Sequence, residues 1–152
     1  MRRAPPIARL PDAADLGDWV EQYAGAYYAK ARDDFGLFRQ LIHPEMLWGW
    51  WNDEVACQLN RFHRDLIEGR RPKLALMTPP QHGKSWTAWD FIPWMAGKHP
   101  DMKTIFASYS DQLGTAANRY LLRMIKNDDV YHDIFPGLEC RDTGRSTHLH
   151  DV

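Results

Sequence analysis

A short apolar run between two prolines, followed closely by Gly-Lys-Ser, restricts what this chain can fold into more than any other feature. Lys73-Leu-Ala-Leu-Met-Thr78 lies between Pro72 and Pro79. A run of that length and bounding predicts a buried strand. Gly83-Lys84-Ser85 then opens a segment that reads as a helix over 85–97, bent or shortened by Pro93. Each residue type at this junction suits a phosphate. Gly83 lets backbone approach an anion without a Cβ. The N–H groups of a new helix point at that anion, aided by the helix dipole. Lys84 reaches β- and γ-phosphates as a point charge, and the Ser85 hydroxyl can ligate Mg²⁺. The common pattern begins with Gly, and Thr78 stands at that position here. The bland alternative is a strand-to-helix turn carrying a surface lysine.

Helical periodicity accounts for much of the remainder. Leu16, Trp19, Val20, Tyr23, Ala24 and Tyr27 predict a helix over about 13–32. Phe35 to Ile42 predicts a short one, stopped near His43-Pro44. Met46 to Trp51 reads as an aromatic connector. Asn52 is placed as an N-cap for a helix over 53–68, with Gly69 as the residue after its C-cap. Lys103 to Tyr109 is a second strand candidate, and Asp111 is placed as the cap of a further long helix. Phe135-Pro136-Gly137 breaks the pattern. Residues 1–11, with three prolines, read as a flexible lead-in, and 138–152 as a loose polar tail.

Composition excludes several classes. The 152 residues suit one domain with a real core. With 19 Lys plus Arg against 20 Asp plus Glu, the net charge of −1 lacks the footprint of a dedicated basic nucleic-acid module. A hydrophobic content of 44% excludes a disordered tail. Seven Trp imply large packed surfaces or an interface. Cys57 and Cys140 make no disulfide framework and fit a reducing compartment. No apolar run is long enough to span a membrane, and the two arginines near the N-terminus precede no apolar segment of a signal peptide. A soluble cytoplasmic protein is expected.

Thr78-Pro-Pro-Gln-His-Gly-Lys-Ser85 resembles the variant phosphate loop of tailed-phage large terminases, the ATPase motors that package DNA into procapsids. Phe106-Ala-Ser-Tyr-Ser-Asp-Gln-Leu113 with Asn118-Arg119 resembles that family's second strand and following helix. Tyr131 to Gly137 resembles the short segment after it, and Trp50, Trp51 and 53–68 fit the upstream region. The resemblance covers about residues 45–137. It implies an α/β fold: a P-loop NTPase domain of the ASCE type, incomplete here, with a helix-rich region over 12–69 and a P-loop core over 70–137. It implies ATP with Mg²⁺, bound by Thr78, Pro79, Pro80, Gln81, His82, Gly83, Lys84 and Ser85, the last also on the metal. Phe62 and His63 stand where the family carries an adenine-contacting motif. Arg119 matches a helix arginine that can act as an arginine finger. The implied partners of the intact motor are double-stranded DNA, the portal, the small terminase subunit and other copies in a homo-oligomeric ring, in the host cell cytoplasm with no membrane.

The pattern departs from the family in two ways. Gln81 stands where the family often has an arginine, so a charge-assisted contact becomes neutral. The family's Walker B strand, an apolar run ending in Asp-Glu, has no counterpart; Lys103–Tyr109 leads into Ser110-Asp111 without a paired acid. Strands that come later in the family's chain separate the two predicted here. The expectation is therefore the nucleotide-binding N-terminal part of a packaging motor, binding nucleotide without meaningful turnover in this chain. The alternative is a catalytically dead terminase that serves as an interaction scaffold through its Trp-rich helices. Another P-loop enzyme, such as a helicase or small-molecule kinase, fits the Pro-Pro-Gln-His loop less well.

Other residues carry a functional and a bland interpretation. Arg61, Arg64, Arg70, Arg71 and Lys73 form a basic cluster that either touches phosphates or caps a helix end. Cys140, His148 and His150 lack the paired spacing of a zinc site. Trp86 and Trp89, three apart, share a helix with Trp94 and suggest core or interface. Phe62 beside His63 is otherwise a core ring beside a surface imidazole, and Arg119 a solvated helix residue.

Overall fold

The computed structural model describes residues 16–138, with side chains from residue 23 onward. Six helices run in order: α1 Leu16–Asp33, α2 Phe35–Ile42, α3 Trp50–Ile67, α4 Lys84–Lys98, α5 Asp111–Asn127 and α6 Asp129–Ile134. The predicted lead-in, the tail beyond Leu138 and the Cys140, His148 and His150 set lie outside the described residues.

The eight-residue α2 is the hub. It packs against α1, α3, α4 and α6. Asp34 caps it by accepting from the Gly36 and Leu37 amides at 2.9 and 3.2 Å, which satisfies donors that a helix start leaves open. Phe35 and Phe38 are fully buried. Phe35 meets Phe91 and Trp94 edge-on at 5.2 and 5.6 Å, and Phe38 meets Tyr131 at 6.2 Å. Burying each such ring is worth about 1.5–3 kcal/mol. Gly36 admits α3: a Cβ there would lie 3.1 Å from the Ala56 Cβ. Phe35, Phe38, Trp94, Tyr131 and Phe135 thus share one contiguous core.

Helix α4 continues through Pro93 rather than ending at it. Two hydrogen bonds anchor it there: Trp94 Nε1 donates to the Ala31 carbonyl at 3.0 Å, and the Tyr131 hydroxyl to the Pro93 carbonyl at 2.8 Å. Helix α3 starts two residues before Asn52. Gly49 is its N-cap, and the Asn52 side chain accepts from the Gly49 amide at 3.2 Å. Its C-terminus closes as the glycine predicted: Gly69 has φ 76°, and Gly69 and Arg70 donate back to Leu66 and Asp65 at 3.0 and 2.9 Å. Ser110, not Asp111, is the N-cap of α5. The six-residue α6 was not anticipated; Asp128 caps it through the Tyr131 amide at 2.8 Å.

The α/β expectation is overturned. No strand occurs among the described residues; the regular structure there is helical. Lys73–Thr78, predicted as a buried strand, and Lys103–Tyr109, the second strand candidate, have no ladder and are largely open to solvent. Met77 is 88% exposed, Ile105 93% and Tyr109 95%. The physical reason is pairing. A helix satisfies its backbone internally, whereas a strand needs a neighbour for every N–H and C=O. Neither run supplies one for the other, so apolar composition alone does not make a sheet.

Candidate functional site

The Thr78–Ser85 segment forms a tight loop on the N-terminus of α4. Gly83, the helix N-cap, is left-handed at φ 73°, and Gln81 is likewise at φ 67°. A non-glycine residue there is uncommon, and alternating positive φ turns successive N–H groups into one concavity. No side chain caps α4. The first backbone bond of the helix is Thr87 N–H to the Gly83 carbonyl at 2.9 Å, with the Thr87 hydroxyl donating to the same oxygen at 3.0 Å. The amides of Lys84, Ser85 and Trp86 thus precede the helical ladder and remain available to an acceptor. Lys84 Nζ donates to the carbonyls of Thr78 and Pro79 at 2.5 and 3.1 Å. His82 Nδ1 donates to the Pro80 carbonyl at 2.9 Å. Ser85 is exposed on the first turn.

This loop opens onto a cavity of about 490 Å³. Gln81, His82, Gly83, Trp86 and Thr87 line it from the loop and α4. Arg39 and His43 line it from α2 and its C-cap; Glu45, Met46 and Leu47 from the connector; and Trp51 and Asn52 from α3. Apolar surface and polar groups therefore share one concave wall, the usual composition of a small-molecule site.

A buried polar cluster forms part of that wall. Asp90, fully buried on α4, accepts from Arg39 Nε at 2.8 Å, and His43 Nε2 lies 3.0 Å from its other oxygen. The Tyr120 hydroxyl of α5 donates to that same oxygen and lies 3.1 Å from His43 Nε2. One carboxylate so ties α2, α4 and α5 together. The hydrogen bond to Asp90 raises His43 above its ordinary pKa, against burial, which lowers it. Burial first, then Asp90, holds the Tyr120 phenol well above its usual range. Trp86 and Trp89 flank the Tyr120 ring at 5.3 and 6.0 Å.

The predicted nucleotide residues divide between two places. Gln81, His82 and Gly83 line the cavity; Thr78, Pro79 and Pro80 of the preceding turn and Lys84 and Ser85 of the first turn of α4 adjoin them in the chain but do not line it. Phe62 and His63 lie elsewhere. Phe62, half-buried, packs edge-on against Phe91 at 6.1 Å. His63 packs on Trp94 at 5.0 Å and bonds to His99, beside a second cavity of about 370 Å³ lined also by Asp33, Asn60 and Lys98. Arg119 is exposed on α5 and does not line the cavity. The basic cluster is partly neutralised: Arg70 pairs with Asp65 at 3.0 Å and with Glu68, and Arg61 approaches Asp65 at 3.9 Å. Among the described residues no group of three His, Cys, Asp or Glu is gathered to hold a metal, and no helix is long and apolar enough to cross a membrane.

Arg39, His43 and Asp90 were missed as site residues. Arg39 and Asp90 stand 51 positions apart on separate helices, where a lone charge reads as surface. Comparison with protein-family models, curated proteins and solved structures finds no match to this chain.

Proposed function

We propose that this chain binds MgATP in the cavity at the N-terminus of α4, as the nucleotide-binding part of a viral DNA-packaging motor of the large terminase kind. The observation that carries this is the uncapped start of α4 opening, with the Gln81–Gly83 turn, onto a cavity of nucleotide size. Open helix amides and the positive end of the dipole suit phosphate oxygens. Lys84 supplies the point charge, and the Ser85 hydroxyl is available to Mg²⁺. Trp51 and Trp86 offer ring faces for a base and the Asn52 amide its hydrogen bonds. The Thr78–Ser85 motif supports the packaging assignment, and with it double-stranded DNA, portal and small-subunit partners, a homo-oligomeric ring and a host cytoplasmic location.

Calorimetric titration of MgATP into the wild type and Lys84→Ala tests the proposal. Saturable binding that is lost in a folded Lys84→Ala protein is the expected result. A folded wild type that takes up no nucleotide would overturn it.

A second reading has its own observation. Leu47 is 94% exposed, Trp50 80% and Trp86 50%, in or beside the cavity rim. Exposed aromatic and aliphatic groups of this kind support a scaffold that binds a protein partner. Partner capture unchanged by Lys84→Ala would favour it.

A further inference from the structure

Arg39 is only 4% exposed, yet it lines the cavity. Its Nε is committed to Asp90. Its Nη2 lies 3.5 Å from the Met46 sulfur, a weak acceptor. Its Nη1 makes no hydrogen bond among the described residues, and no buried side-chain nitrogen or oxygen there lacks one. The Nη1 edge therefore meets the open cavity. A guanidinium carries five donors in a rigid planar fork, matched to carboxylate and phosphate oxygens. Here the fork is aimed by two contacts: Asp90 grips Nε, and the Phe35 ring lies 5.9 Å from its carbon. Gly83 and Trp86, at the start of α4, line the same space. A buried cation with unused donors and an open helix N-terminus thus converge from different elements.

We infer that Arg39 is an oxyanion ligand of this cavity, its Nη edge binding phosphate oxygens of the nucleotide that the loop and α4 receive; this rests on the nucleotide reading above. Asp90 is the positioning residue that aims the fork. Two acidic groups share the wall, and neither competes for the Nη1 edge. Asp90 is taken up by Arg39, His43 and Tyr120, and Glu45, 77% exposed, lies 3.7 Å from His43 Nδ1.

The test is MgATP titration by calorimetry, with thermal melts of the same samples. Arg39→Gln is expected to weaken binding by about tenfold or more, the loss of a charge-assisted contact. Tyr120→Phe loosens the same cluster without removing a donor that faces the cavity. It should lower the melting temperature and leave affinity within about twofold. Gln81→Arg returns a guanidinium to the same cavity and should restore binding in the Arg39→Gln background. Should Arg39→Gln not fold, Arg39→Lys, which keeps charge but loses the fork, is read the same way.

Wild-type affinity in Arg39→Gln would overturn the inference and leave the nucleotide reading intact. An equal loss in Tyr120→Phe without rescue by Gln81→Arg would also overturn it, making Arg39 structural. Absence of binding in the wild type, or Lys84→Ala binding as the wild type does, would overturn the nucleotide reading itself.

Discussion

His63 on α3 and His99 at the end of α4 meet nitrogen to nitrogen, Nε2 to Nε2, at 2.9 Å. Only one of those nitrogens can carry a proton while the other accepts it. Burial, with Lys98 and His99 nearby, pushes His63 down to about 4, and burial with Lys98 also lowers His99. The pair is a neutral clasp between two helices. Lys98 reinforces it from the side, donating to Asp33 at 2.6 Å with its ammonium 5.0 Å from the Trp94 ring.

Acid should open this clasp. A histidine whose folded pKa lies below its unfolded value binds fewer protons when folded. Stability then falls as pH drops from about 6.5, the ordinary histidine value, towards 4. Urea midpoints of the wild type should decline across that window more steeply than those of His63→Gln. Parallel declines would remove His63 from the account.

His43 has the opposite sign. Its folded pKa is raised, so its contribution is fully present below its unfolded value and is lost as pH rises through the folded one. The stability gap between wild type and His43→Gln should be widest at mildly acidic pH and narrow above it. Denaturant titrations at stepped pH would read this directly.

Removing the carboxylate at the centre of the cluster should be costly at any pH. Asp90→Ala leaves the Arg39 charge buried without its partner, a loss of about 3–5 kcal/mol. An equilibrium unfolding curve within about 1 kcal/mol of wild type would contradict the burial described for this pair.

Gly97 faces Phe135 so closely that a Cβ would lie 2.5 Å from the ring. Phe135 is itself 5% exposed and cannot swing into solvent without opening the core. Gly97→Ala should destabilise by about 1–3 kcal/mol, despite the better helix propensity of alanine. A rise in melting temperature would show that α6 and the turn after it are held more loosely than this contact implies.

Residues 73–78 and 103–109 should exchange their amide hydrogens quickly, because none of their backbone groups joins a ladder. Met77→Ser and Ile105→Ser should each change stability by less than about 0.5 kcal/mol. Slow exchange in both segments would mean that they pair.

The helices were legible in the sequence because their signals are local. Phe35 to Ile42 matched α2 end to end, and Gly69 closed α3 as placed. The strands were misread because Leu74, Leu76 and Ile105 report composition, while pairing depends on a partner that composition does not name. The tight turn into α4 could be read from Gly83-Lys84-Ser85, since its residues adjoin in the chain. Phe62 and His63 could not be placed, because whether a ring meets a ligand or a core depends on Phe91 and Trp94, about 30 positions away. The Arg39–Asp90 pair was invisible for the same reason: a charge in a helix becomes buried only when another element covers it.

The ammonium of Lys84 is held by the loop's own carbonyls at Thr78 and Pro79. Any anion that recruits this lysine must therefore outcompete two backbone oxygens. The affinity measured for such a ligand is its intrinsic affinity reduced by that internal rivalry. A change that weakened the two carbonyl contacts while sparing the ammonium would raise affinity without adding a single contact to the ligand.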